Sequence, residues 1–267
     1  MNLKFGKISL ATVMLTLGLH ASDHAHSDNT HKKQDTHATH TSHWSYSGNA
    51  GPDLWGNLQE SYQDCKNGKR QSPINIVSNN TIKENSLGNL YFDYKDAKIN
   101  IINNGHTIQV NSDNTSYSSF QGKKFKLLQF HFHSLSEHTV NGKNYPMEAH
   151  LVHQADDGEL AVVGIFLKVG KYNQTMQKVF KLMPKNAGQT NKNDNFSINA
   201  NDLLPKDRNY YHYLGSLTTP PCTQIVEWYV MKQPIEISDK QLEEFQRLYK
   251  GNYRPVCDLN NRKILEK

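Results

Sequence analysis

From Trp44 onward, short apolar or alternating stretches are separated by Gly, Asn, Asp and Pro, and this rhythm predicts strands joined by turns. The predicted strands cover 98–102, 107–110, 127–133, 149–153, 160–169 and 225–231. Two segments have helical spacing instead. Over 174–183, Met176, Val179, Phe180 and Met183 fall on one face and Pro184 ends the run. The second opens with Ser238 and Gln241 in a capping-box arrangement, carries Leu242, Phe245, Leu248 and Tyr249 on one stripe, and stops at Gly251. Both stripes are core packing. The pattern predicts a mainly β protein with short helices, folded as one domain over 44–267 with neither an internal repeat nor a further boundary.

The first 43 residues have a different texture. Lys4 and Lys7 precede the apolar run 8–19, which leads into Leu19-His20-Ala21, so a secretory signal peptide cut after Ala21 is expected. The run is shorter than the roughly 20 residues needed to span a bilayer, and no stable membrane anchor is expected. Residues 22–43 are almost free of apolar side chains and carry His24, His26, His31, His37, His40 and His43, which predicts a disordered, His-rich linker. Such a tract collects divalent metal, buffers protons, or simply serves as a solubilising spacer.

Composition narrows the classes further. The 267 residues are 36% hydrophobic and 10% aromatic, enough for a substantial core, and the mean hydropathy of −0.74 excludes a multi-span membrane protein. A formal charge of +5 with scattered basic residues points to no nucleic-acid partner. Three cysteines, Cys65, Cys222 and Cys257, allow at most one intramolecular disulfide, and spacing alone does not choose the pair.

Chemistry concentrates in Gln129-Phe-His-Phe-His133. On a strand, Gln129, His131 and His133 share one face, and Phe130 and Phe132 share the other. Two imidazoles so placed can hold one zinc ion if a neighbouring strand brings a third ligand. Glu148-Ala-His-Leu-Val-His153 supplies the candidate: Glu148, His150 and Val152 point one way, and His153 points the other, as a structural histidine. Gln129 and Glu148 are then acceptors for the second ring nitrogens of His131 and His150. Three histidines without a fourth protein ligand are the donor set of a catalytic zinc site with an open position.

These residues, with Ser136-Glu-His-Thr-Val140 and Gly215-Ser-Leu-Thr-Thr-Pro-Pro221, stand in the order seen in the α-class carbonic anhydrases, and the chain resembles that family's exported bacterial branch. Trp44-Ser-Tyr46, Gly51-Pro52, Arg70-Gln-Ser-Pro73, Asn103-Asn-Gly-His106, 164–170 and Asn252-Tyr-Arg-Pro255 carry the resemblance across 44–267. It implies a large, mostly antiparallel central sheet of about ten strands with short peripheral helices. It also implies one Zn2+ per chain on His131, His133 and His150, with Gln129, Glu148 and the carbonyl of Asn252 as acceptors behind them. By the same likeness, Thr218 orients zinc-bound hydroxide and donates its own proton to a buried Glu137. Val152, Val162, Leu217 and Trp228 line an apolar wall for carbon dioxide, and Thr219 donates to bicarbonate. His106 shuttles the proton out.

The implied reaction is the reversible hydration of carbon dioxide to bicarbonate and a proton. The resemblance further pairs Cys65 with Cys222 and leaves Cys257 free, with intermolecular pairing, hence a homodimer, left open. Export places the protein in a bacterial periplasm first and secretion second. A catalytically silent binding module, a zinc hydrolase and a zinc scavenger are the competing functions. The intact histidine trio opposes the first, and the absence of His-Glu-x-x-His opposes the second.

Overall fold

A computed structural model describes residues 43–267, so the expected signal peptide and nearly all of the expected linker lie outside the described residues. Ten strands form the continuous path of one sheet: β1 (Ile82–Lys83), β2 (Ala97–Asn103), β3 (Ile108–Asn111), β4 (Lys123–His133), β5 (Met147–Gln154), β6 (Leu160–Val169), β7 (Thr190–Ile198), β8 (Tyr210–Gly215), β9 (Val226–Met231) and β10 (Leu265–Glu266). In space their order is β7-β2-β3-β4-β5-β6-β9-β8-β10-β1. Pairings are antiparallel except β6 with β9 and β10 with β1. Three shorter strands attach outside this path. The expected sheet of about ten mostly antiparallel strands is therefore present.

Each central strand divides its residues between two faces. On β5 and β6, Met147, Ala149, Leu151, Ala161, Val163, Ile165 and Leu167 enter the larger hydrophobic core. The alternate positions Val162 and Phe166 join Val226, Trp228 and Val230 in a second cluster on the opposite face. Strand β6 is buried on both sides, which is why its sequence reads as one apolar run rather than an alternation.

On β4 the alternation breaks. Leu127 pairs with His153, yet Gln129 pairs with Val152, so one extra residue bulges from the strand between them. Before the bulge Phe125 and Leu127 face the core; after it Phe130 and Phe132 do. The odd-numbered Gln129, His131 and His133 are thereby turned to the other face.

The helices α1 (Gln174–Leu182) and α2 (Asp239–Gln246) cover the larger core with Met176, Val179, Phe180 and Phe245. The Asn173 side chain caps α1, and the Ser238–Gln241 capping box is formed on α2. Helix α2 ends at Gln246 rather than at Gly251; Leu248 and Tyr249 continue only as a turn, both donating to the carbonyl of Phe245. Among the described residues, no helix is long and apolar enough to cross a membrane.

Candidate active site

Strand pairing assembles the site. His131 on β4 lies directly opposite His150 on β5, and His133 lies opposite Glu148. Directly paired residues share a face, so three imidazoles converge from two adjacent strands. Their candidate ligand atoms all lie within 4.8 Å of one another.

Each ring is held by its other nitrogen. His131 Nδ1 donates to Gln129 Oε1 at 2.9 Å, and His133 Nδ1 donates to the carbonyl of Asn252 at 2.7 Å. His150 Nε2 stands 3.0 Å from Glu148 Oε1. With those nitrogens carrying protons, the lone pairs left for a metal are Nε2 of His131 and His133 and Nδ1 of His150.

The charge balance of this cluster calls for a cation. His133 Nε2 and Glu137 Oε2 are buried without a hydrogen-bond partner. Glu137 Oε2 lies 3.6 Å from His133 Nε2 and 3.8 Å from His150 Nδ1, so two imidazole lone pairs and a carboxylate oxygen face one another with no donor between them. A divalent ion satisfies such a set of acceptors. Burial, then repulsion from the neighbouring rings, holds His131 well below the usual imidazole range. Burial also lowers His133, against the opposing pull of Glu137. For His150 burial acts in the same sense but is outweighed by Glu148 and Glu137, which push its pKa up. Glu148 itself pays a burial penalty that His138 and His150 overcome, holding its carboxyl well below the usual range.

A second group, His138, Glu148 and His150, is also close enough for a metal. His138 Nδ1, however, is only 2.7 Å from Glu148 Oε1, shorter than the about 3.3 Å between two tetrahedral ligands at zinc distances. The contact is a hydrogen bond, and it continues a chain: His138 Nε2 meets Tyr213 Oη at 2.7 Å, and Tyr213 Oη donates to Ser72 Oγ at 2.8 Å. Glu148 Oε2 accepts the backbone N–H of Glu137 at 2.8 Å and of His138 at 2.9 Å. The sequence assigned no role to His138. Its imidazole lies on a loop, outside any strand parity, and only the pairing across the sheet brings Tyr213 to it.

The other expected residues take these places. Val152, Val162 and Trp228 form one row across three neighbouring strands, and Leu217 packs on the same cluster. The Trp228 ring is 4.9 Å from that of His150. Thr218 is buried and Thr219 half-buried in the loop after β8. The expected hydrogen bond from Thr218 to Glu137 is not formed: Glu137 Oε1 accepts the Arg254 N–H at 2.8 Å, and Oε2 is turned to the imidazoles instead. Asn252 uses its amide as well as its carbonyl, donating to the carbonyls of Phe132 and His106 and accepting from Ser134.

His106 is stacked on Trp44, with ring centroids 3.6 Å apart and planes 8° from parallel. Burial, then the nearby His43, push its pKa down to about 4, lower than a group matched to neutral pH. His153 faces the larger core as expected, bonded to Tyr94 Oη at 2.7 Å, and burial pushes its pKa down to about 3. Cys65 and Cys222 form a disulfide, and Cys257 is free.

Comparison with known proteins matches residues 50–267 to the model of the eukaryotic-type carbonic anhydrases. A carbonic anhydrase from Klebsiella pneumoniae is 44% identical over 84% of this chain and 91% of its own length, and one from Nostoc sp. is 42% identical over 85% and 86%. Among solved structures, the α-carbonic anhydrase of Thermovibrio ammonificans in complex with the inhibitor sulfanilamide superposes with a TM-score of 0.82. It is 47% identical, and the match covers 84% of this chain and 99% of that one.

Proposed function

The chain belongs to the eukaryotic-type carbonic anhydrase family and is a carbonic anhydrase, and from that membership we propose that it hydrates carbon dioxide at a zinc ion held by His131, His133 and His150. The observation that carries the metal assignment is the convergence of three imidazoles, His133 and His150 buried and His131 half-buried, whose second nitrogens lie beside Gln129 Oε1, the Asn252 carbonyl and Glu148 Oε1. When bound, zinc supplies the Lewis acidity that lowers the pKa of a coordinated water from 15.7 to about 7.

The protein's own residues do the rest. Gln129, Glu148 and the Asn252 carbonyl fix the ring tautomers, so that each histidine presents a lone pair rather than a proton to the metal. Carbon dioxide is uncharged and accepts hydrogen bonds weakly, so the apolar row Val152, Val162, Leu217 and Trp228 suits it, and Thr219 serves the charged product. A carboxylate can only accept, so Thr218 would donate to Glu137 and keep its lone pair for the incoming nucleophile once Glu137 Oε2 turns from His133 and His150 towards it. Each hydration turns carbon dioxide and water into bicarbonate and one proton, and His106 passes that proton outward. The disulfide fits an exported protein, and we place it in a bacterial periplasm.

Replacing His150 by Ala tests the reading. Expected is loss of bound zinc together with stopped-flow hydration activity; full activity in a metal-free His150→Ala protein refutes it.

A further inference from the structure

We infer that His43 is a second relay imidazole, taking from His106 the proton released in each hydration and giving it up to solvent buffer. The inference rests on His106 being the shuttle.

His106 is held on three sides. Asn104 Oδ1 accepts its backbone N–H, Asn252 Nδ2 donates to its carbonyl, and its ring lies flat on Trp44. Tyr46 stands edge-on to it, with centroids 6.4 Å apart. Burial and Glu137 push the pKa of Tyr46 well above the ordinary phenol value, so that neighbour stays neutral and takes no proton. Among the described residues, the remaining ring against His106 is the imidazole of His43, with centroids 5.7 Å apart and planes tilted by 45°, a separation that one water molecule can span. His43 is exposed, whereas His106 is half-buried. The chain itself sets this approach: His43 directly precedes Trp44, so the indole stacked on His106 holds His43 at its edge.

The two rings differ in the sense a relay requires. Charge on His106 is disfavoured first by burial and then by His43, whereas the His43 ring is open to water, so a proton passed outward leaves the drier ring for the wetter one. In the transfer an N–H bond breaks on His106 and one forms on His43, through the bridging water; buffer then removes the proton and both rings are neutral again. His43 also ends the series His24, His26, His31, His37 and His40. In sequence, therefore, the accepting ring stands at the domain end of a run of buffering side chains.

The test is stopped-flow carbon dioxide hydration by zinc-loaded, full-length His43→Phe and His106→Ala proteins, in weak and in concentrated imidazole buffer. Phe at 43 keeps a ring beside Trp44 but carries no proton. In weak buffer kcat of His43→Phe should fall roughly three- to tenfold, short of the about 100-fold or more attributed to a principal acid or base, and imidazole should restore it. Its kcat/KM and zinc content should be unchanged, because proton export follows the carbon dioxide step. A fall for His106→Ala with none for His43→Phe overturns the relay and spares the shuttle. No fall for either overturns the shuttle itself. A His43→Phe loss that appears equally in kcat/KM and resists imidazole overturns the relay in favour of a packing role.

Discussion

Gly164 is the position at which one methyl group reaches the metal site. It lies directly opposite His150, and a Cβ built there meets Glu148 Oε1 at 2.9 Å. That carboxylate has little room to retreat, since both of its oxygens are engaged by His138 and the backbone of Glu137 and His138. Gly164→Ala should therefore weaken zinc binding 10- to 100-fold, the range for losing a partner behind a ligand, as measured by competition with a chelator. Unchanged affinity would mean that Glu148 does not orient His150. The buried core histidine gives a pH prediction. With its folded pKa pushed down to about 3, His153 binds its proton more readily in the unfolded chain, where the value is about 6.5. Its contribution is complete above about pH 6.5 and is lost as pH falls towards 3, on the order of 5 kcal/mol at most. The urea midpoint of the wild type should drop between about pH 7 and pH 5, and that of His153→Gln should drop less. Much of this scale was legible before the structure: strand parity alone separated His150 from His153 and paired Glu148 with the former. His138 was not legible, because its partners Glu148 and Tyr213 come from two different strands. Nor was the low pKa of His106, which depends on its burial and then on the nearby His43.

At the scale of elements, the decisive feature is the bulge between Leu127 and Gln129. Without it, an unbroken alternation from Phe125 would place His131 and His133 on the core face beside Leu127. The sequence shows the local alternations on either side, but the extra residue becomes evident only from the register against β5. Deleting Leu128 removes the extra residue and leaves a regular alternation with His131 and His133 still off the core face, so the purified protein should keep its zinc; loss of bound zinc on that deletion would contradict this role of the bulge. Helix α2 is a contrasting case in which local chemistry is enough. Ser238 and Gln241 announce its start in the sequence and form the reciprocal box in the fold, so Ser238→Ala should cost about 1 kcal/mol in denaturant unfolding. Its end was less legible. Tertiary contacts take over after Gln246, where Tyr249 bonds Asn103 and the Gly251 N–H donates to Ser134 at 2.6 Å.

Across the whole molecule, one buried side chain and one covalent bond tie the site to the early segment of the chain. The Arg254 guanidinium donates to Gln71 Oε1 at 2.7 Å, the carbonyl of Ser72 at 2.8 Å and that of Cys65 at 3.0 Å, while its backbone N–H holds Glu137. Cys65 is in turn bonded to Cys222, four residues beyond Thr218. Replacing both Cys65 and Cys222 by Ser should lower stability by about 2 to 4 kcal/mol, seen as a shifted guanidinium midpoint. A shift of that size without loss of bound zinc would place the bond's role in holding the fold rather than in forming the site. The pairing was legible only through family resemblance, since three cysteines leave three choices; the Arg254 hub was not legible at all, because its partners, Cys65, Gln71, Ser72 and Glu137, lie more than a hundred residues away in sequence. The most direct test of the central claim is a zinc titration of metal-stripped full-length protein, followed by the initial rate of carbon dioxide hydration. The rate should rise in proportion to added zinc and level off at one ion per chain. Full hydration activity before any zinc is added, or no recovery at saturation, would contradict the assignment of His131, His133 and His150 as the metal centre.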